Sequence, residues 1–454
     1  MKRGAWGHTA IVAAVALAAR ACVVAWAWGK FPAIADGHYY DLFATRLARG
    51  LGYTVAWPDG AVTYAAHYPV GYPAMLALAY RLAGASTNVA MVVNAALGVL
   101  AAACAHRVAL RELSSRLALG AALVFALHPA LVLYTPAVMT EGVAASLLVV
   151  GLACLPERVQ IARIVAAGLV FGVATLVRPQ VIALVPFLVA AFLPGWTLRA
   201  RAYAGAGVLA AALVAVAPWT ARNCARMHRC ALVSVNGGWN LLIGVETTNG
   251  SWTALEAPDA CKTVWDEAQK DACFERAARA DIAAAPGAWL AKAPSKLAVT
   301  FDAFAAGPWY LHASNPRAFG DRAELVWGAI ETVWSRLLLA AALVAAAPRK
   351  KTRPVWTIPR IAACAVGLAF AVSRTAWPAY ALLALACLAR DRDELPSPIR
   401  AATGAAVGLT MLTHAVFFGA GRYGLLVVPF VTLAAFACVR AKPLSASVPS
   451  ASGR

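Results

Sequence analysis

Long apolar runs recur along the whole chain, separated by short basic stretches, and they constrain this sequence more than any other feature. A helix that crosses a bilayer needs about 20 apolar residues, with a usable range of about 17 to 25. Twelve runs approach that length: 9–28, 87–107, 117–134, 142–155, 161–177, 181–198, 203–219, 326–346, 355–372, 376–388, 399–420 and 425–439. The composition agrees, with 61% hydrophobic and 13% charged residues, where soluble domains carry about 45–50% and about 25%. A water-soluble enzyme, a disordered chain and a small disulfide-stapled protein are thereby excluded. The expected fold class is an all-α polytopic membrane protein with about twelve transmembrane helices.

The net charge of +19 decides orientation once its location is known. Residues 221–325 hold 11 basic and 11 acidic groups, while the other 349 hold 29 and 10. The excess therefore belongs to the short loops between spans, such as Arg107, Arg111 and Arg116, where basic residues hold loops on the cytoplasmic side. No basic patch is interleaved with aromatics, so no nucleic-acid partner is expected. One run is ambiguous. Residues 71–82 are a dozen long, with Pro69 before and Pro73 inside, and read as an interfacial or re-entrant helix. Counting this run as a span would invert everything after it; leaving it out places every basic loop on one side, with both termini cytoplasmic. The apolar run that begins near Thr9 passes the cleavage-like Ala16-Leu17-Ala18 and continues to Trp28, as in an uncleaved signal anchor. Arg20 lies within this run, either facing a bundle interior or snorkelling.

This topology gives a membrane core over 1–219 with a first external loop at 29–86, an external segment of helical and irregular structure over 220–325 between spans 7 and 8, helices over 326–442, and a tail at 443–454 whose Ser, Pro and Ala content predicts disorder. The external segment carries Cys224, Cys230, Cys261 and Cys273. In an oxidising compartment four cysteines predict two disulfides; of three connectivities, Cys224 with Cys230 and Cys261 with Cys273 is the simplest. A zinc site competes weakly, because no pair has knuckle spacing.

Candidate chemistry lies in isolated acids at the external ends of spans. Asp36 follows the first span in Asp36-Gly37-His38-Tyr39-Tyr40-Asp41, at the N-terminal side of an amphipathic stretch that stops at Gly50-Leu51-Gly52. A helix N-terminus favours a carboxylate, so simple capping is the plain alternative. Glu141 in Met139-Thr140-Glu141 opens the fourth span; an acid in an apolar stretch is a functional-site hypothesis by default, the alternative being a water-exposed interface acid.

The order of these motifs resembles the GT-C glycosyltransferases, especially the bacterial relatives of protein O-mannosyltransferases, aminoarabinose transferases and Rgt-type lipopolysaccharide-core transferases. Asp36 with Tyr39 and Tyr40, Gly50-Leu51-Gly52-Tyr53 and His67-Tyr68-Pro69-Val70-Gly71-Tyr72-Pro73 resemble the family's first external loop. Pro129 with Met139-Thr140-Glu141 resembles the second. Arg178-Pro179, then Pro218-Trp219-Thr220-Ala221-Arg222-Asn223 with Asn236-Gly237-Gly238, and finally Arg422-Tyr423 before Pro429 follow in order.

The resemblance implies a GT-C-like fold and transfer of a sugar, with inversion, from a polyprenyl-phosphate donor to an acceptor hydroxyl on a glycolipid or protein, at the external face of the inner membrane. Asp36 would be the general base or acceptor-orienting acid, and Glu141 the second-loop acid. Arg178, Arg222 and Arg422 would face the lipid phosphate, with Tyr39, Tyr40, His67, Tyr68, Asn236 and Tyr423 lining the substrates. Asp36 and Glu141 are also the candidate ligands of a divalent cation, Mg²⁺ or Mn²⁺, although Gly37 stands where relatives often place a second acid. A transporter or lipid flippase is the competing class. It lacks the internal repeat of many transporters and would not require Asp36, Glu141 and Arg422 to meet.

Overall fold

A computed structural model describes residues 3–158, 160–193, 196–348, 354–389 and 397–437; the tail expected at 443–454, two residues within the span 181–198 and the end of the span 425–439 lie outside them. The chain is mostly helical, as its apolar runs dictate. Four helices, Trp6–Ala27, Thr87–Ala109, Leu198–Arg226 and Asp321–Ala346, are long and apolar enough to cross a membrane. Shorter apolar helices, among them Thr140–Cys154, Ile161–Val177, Val181–Phe192 and Trp377–Leu388, stand where most other spans were expected. The run at 71–82 forms the helix Gly71–Ala83, whose 13 residues reach about 20 Å and fall short of the hydrocarbon thickness.

Differences from the sequence reading have local causes. The expected span 117–134 is two pieces, Ser115–Ala126 and Pro129–Val132. His128, held extended at ψ 116° before Pro129, breaks it, because the ring of a proline disfavours helical backbone in the preceding residue. The last span is likewise divided, into a 3₁₀ turn over Gly421–Leu426 and the helix Val428–Phe436. The first external loop is not purely helical: strands Thr54–Ala56 and Val62–Tyr64 pair antiparallel, with Thr54 opposite Tyr64. Their turn is Trp57-Pro58-Asp59-Gly60, Gly60 having φ +88°.

The core is continuous. One buried cluster joins Val12 and Ala16 of the first helix to Tyr40, Tyr72, Phe125, Phe171, Leu188, Leu339 and Phe430. Phe301, Phe304 and Tyr310, from the segment expected to lie outside the membrane core, belong to the same cluster. Arg20 is buried and donates through Nη1 to the Ala126 carbonyl at 2.9 Å. It thereby satisfies the end of the helix broken before Pro129, a backbone acceptor that would be costly to leave open in an apolar bundle.

Both expected cysteine pairs form, Cys224 with Cys230 and Cys261 with Cys273. The second sits in a small core with Leu242, Phe274 and Ala278, clamping Asp259–Lys262 to the helix Glu267–Ala284.

Candidate active site

Broken helices build the site. After the short helix Pro129–Val132 the chain runs irregularly to Met139, and irregular backbone inside a bundle must find partners within the protein. Asn94 supplies two, donating through Nδ2 to the carbonyls of Thr135 and Ala137 at 3.1 and 2.9 Å, and is itself held by the Tyr72 hydroxyl. The Val138 amide donates to the Tyr310 hydroxyl at 3.3 Å. Thr140–Cys154 then starts as a helix with Glu141 in its first turn, where the partial positive charge of a helix N-terminus favours a carboxylate.

Arg178 is aimed at Glu141 by the same proline rule. It follows the helix Ile161–Val177 in extended conformation, φ −142° and ψ 108°, because Pro179 comes next. Its Nη1 donates to Glu141 Oε1 at 2.7 Å and to Thr140 Oγ1 at 3.1 Å. The Tyr134 hydroxyl donates to the other oxygen, Oε2, at 2.9 Å.

Asp36 is the first residue of the helix Asp36–Ala48, and its carboxylate makes no capping bond. It is turned instead toward Arg422, whose Nη2 donates to Oδ2 at 2.7 Å, and the Tyr68 hydroxyl approaches Oδ1 at 3.4 Å. Arg422 also brings Nε within 3.2 Å of Glu141 Oε1, a charge contact without the alignment of a hydrogen bond. One guanidinium therefore stands between the two acids. Glu141 is buried, while about a third of the Asp36 side chain stays accessible, so of the two carboxylates Asp36 is the one open to an incoming group.

Gly37 has a physical reason. A Cβ there would lie 2.7 Å from the Val138 carbonyl oxygen, so the start of the Asp36 helix must pack bare against the irregular segment leading to Glu141. Ala35, just before it, adopts φ 48°, a conformation costly for a residue with a Cβ and often found at functional sites.

Aromatic rings complete the walls. Tyr39, exposed, stacks on Tyr68 at 4.8 Å, and Tyr40, buried, meets Tyr68 and Tyr72 edge-on. Tyr423 receives Arg178 over its face at 4.8 Å and His414 on the other side at 4.3 Å. Burial drives the Tyr68 hydroxyl well above its ordinary pKa, so it remains a donor. Burial also pushes the His67 imidazole down to about 4, against a smaller opposing pull from Asp36; it is neutral at any physiological pH.

Two expected residues lie elsewhere. Arg222 binds the backbone of the first loop, donating to the carbonyls of Ala65 and Tyr53 at 2.8 and 2.9 Å. Asn236 precedes the helix Gly237–Glu246 and accepts from the Ser234 hydroxyl. Tyr134, Asn94 and His414 escaped the sequence reading because each lies within an apolar run that looked like plain span. Glu331 escaped it too: it is buried in Asp321–Ala346 with neither oxygen hydrogen-bonded, beside Gly307. Among the described residues no group of three or more His, Cys, Asp or Glu is placed to hold a metal. Asp36 and Glu141 share a guanidinium instead, a donor set that does not fit the oxygen shell a hard divalent ion requires.

A helical membrane protein whose unwound segments gather two acids and two arginines is the class these features define. Residues 67–221, about a third of the chain, match the family model described as dolichyl-phosphate-mannose-protein mannosyltransferase. That stretch contains Tyr68, Glu141 and Arg178, so the resemblance to lipid-linked sugar transferases read from the sequence is borne out there. No curated protein matches the chain.

Several solved structures are similar, among them the following two. The archaeal oligosaccharyltransferase AglB from Archaeoglobus fulgidus, in complex with an inhibitory peptide and a dolichol-phosphate, is 14% identical, with a TM-score of 0.47 over 96% of this chain and 50% of that one. ArnT from Cupriavidus metallidurans, bound to undecaprenyl phosphate, is 19% identical, with a TM-score of 0.41 over 94% and 78%. This chain spans half the length of the archaeal structure.

Proposed function

We propose that this protein is an inverting glycosyltransferase that moves a sugar from a polyprenyl-phosphate donor to an acceptor hydroxyl at the external face of a cell's inner membrane. One observation carries the reading: Arg422, 386 residues from Asp36 in sequence, bridges Asp36 and Glu141. The donor class follows from the description of the matching family.

In this reading Asp36 accepts the proton of the acceptor hydroxyl as its oxygen attacks the anomeric carbon. The sugar–phosphate C–O bond breaks on the opposite face, and the electron pair leaves on the lipid phosphate. A positioned base contributes about 10² to 10⁴ in rate. Arg178 and Arg422 carry the positive charge that a departing phosphate needs, and a guanidinium can hold two phosphate oxygens at once, while Glu141 holds both guanidinium groups in place. No step is assigned to a metal ion. The twelve-span topology belongs to this proposal, with basic loops inside and 220–325 outside.

Transport is the second reading, and Glu331, a buried acid far from either end of its helix, is the observation on its side. The identity of acceptor and sugar is tested by mass spectrometry of surface glycolipids and glycoproteins from cells with and without the protein. Transfer predicts one saccharide addition that disappears with the protein; unchanged glycans, with a lipid or solute displaced across the membrane, would favour transport.

A further inference from the structure

The external segment meets the first loop at several points, and one of them is a carboxylate. Glu267, first residue of the helix Glu267–Ala284, accepts through Oε2 from the amides of Ala66 at 2.5 Å and His67 at 3.1 Å. Both amides lie one or two residues before Tyr68, the residue whose hydroxyl reaches Asp36. The same few residues are held on every side: Ala66 accepts from the Val235 amide, Ala65 from Arg222, and the Tyr68 carbonyl from the Tyr53 hydroxyl. The His67 ring rests edge-on against Trp239. Among these ties the Glu267 carboxylate is the only anion.

We propose that Glu267 is a positioning residue for the transferase: its carboxylate fixes the Ala66–His67 backbone and so sets Tyr68 against Asp36, letting the external segment govern turnover at a site it does not line. This inference rests on the functional reading above and adds a residue to it. Charge matters to the clamp, because amide hydrogen bonds to an ionised acceptor are roughly twice as strong as to a neutral one.

Burial raises the Glu267 carboxyl to about 7, against the opposing pull of the two amides and of Arg222, with a smaller upward push from Asp266. Arg222, Asp266 and the Tyr53 hydroxyl are the titratable groups that act on it, and the His67 imidazole, whose backbone amide it holds, is neutral. Since His67 titrates far lower, a change in the loop near neutrality belongs to Glu267. The sign follows from linkage: the two amides favour the charged carboxylate but burial outweighs them, so the closed loop holds the proton more tightly than an opened one, and its extra stability at low pH is lost as pH rises through about 7.

The test uses the full-length protein in lipid nanodiscs. Hydrogen–deuterium exchange of a peptide covering residues 64–70, corrected for intrinsic exchange, should show about tenfold greater protection at pH 6 than at pH 8. Glu267→Gln should lose that difference, and Glu267→Asp, which keeps the charge, should retain part of it. Sugar transfer by the wild type should fall through the same pH range, relative to a Glu267→Gln profile that lacks this step. Equal protection at pH 6 and 8 in the wild type would overturn the inference without any variant, and so would a Glu267→Gln pH profile superimposing on wild type. An Asp36→Asn control separates the two claims: if it transfers sugar normally, the functional reading fails even where the exchange result stands.

Discussion

At the residue scale the site is a balance of buried charges. Glu141 lies almost wholly out of water, and a carboxylate there is tolerable only because Arg178, Arg422 and the Tyr134 hydroxyl surround it. Removing one partner leaves a buried charge uncompensated, which costs about 3–5 kcal/mol. Arg178→Gln should therefore lower thermal stability by that order as well as abolishing transfer, measured by unfolding in detergent. Arg178→Lys should restore little, since both bonds come from Nη1 of a guanidinium whose plane also lies over Tyr423, and a compact ammonium cannot hold all three. Ala35 makes the opposite case. Its φ of 48° stores about 1–3 kcal/mol, so Ala35→Gly should raise the melting temperature; an unchanged or lower one would mean that the neighbouring packing, and not the backbone, sets the energy here.

At the element scale, breaks and close approaches place the charges. Gly71 opens the helix Gly71–Ala83 where its backbone meets the end of Ile161–Val177: an added Cβ would stand 2.5 Å from the Leu176 carbonyl carbon and the Val177 nitrogen. Gly71→Ala must push the two helices apart, at a cost of about 1–3 kcal/mol, and must shift Arg178, the next residue. Activity should fall by more than stability does, seen as a drop in kcat with the protein still folded. The Cys261–Cys273 bridge, with its sequence separation of 12, should contribute about 3 kcal/mol. Reduction or double serine substitution should loosen the helix Glu267–Ala284, and with it the Glu267 clamp, as thermal melting and exchange would register.

The same breaks explain what could be read in advance. Asp36, Glu141, Arg178 and Arg422 were legible because each is a lone charge beside proline, glycine or tyrosine in otherwise apolar surroundings. The short helix after Asp36, the non-spanning length of 71–82 and the two cysteine pairs were legible for similarly local reasons. The Thr54–Tyr64 hairpin, the split at His128 and the capture of Arg222 by two carbonyls were not. The first two rest on local signals that the apolar runs did not bring out, the Pro58-Asp59-Gly60 turn and Pro129, while the capture of Arg222 depends on partners far away in sequence, as does the Glu267 contact with residues 201 and 200 positions earlier. Arg222 shows the limit best: an external arginine next to tryptophan reads the same whether it grips a phosphate or a loop, and only the position of Ala65 and Tyr53 decides.

At the scale of the whole molecule, the proposed topology puts the neutral segments outside the membrane and the basic loops inside. Cysteines introduced singly at Arg107 and at Trp252 should then label from opposite faces of sealed vesicles; labelling from the same face would invert the proposed topology. The fold carries chemistry by bringing the first loop, the second loop and the C-terminal turn to one end of the bundle, where Asp36 alone of the two acids is open to a substrate. The most direct test of this centre is turnover of a polyprenyl-phosphate sugar by the purified protein and its Asp36→Asn variant at matched folding, followed by mass spectrometry of the product. Wild-type protein should form the saccharide adduct, and Asp36→Asn should form it at least about a hundredfold more slowly. Equal rates for the two would contradict the assignment of this site.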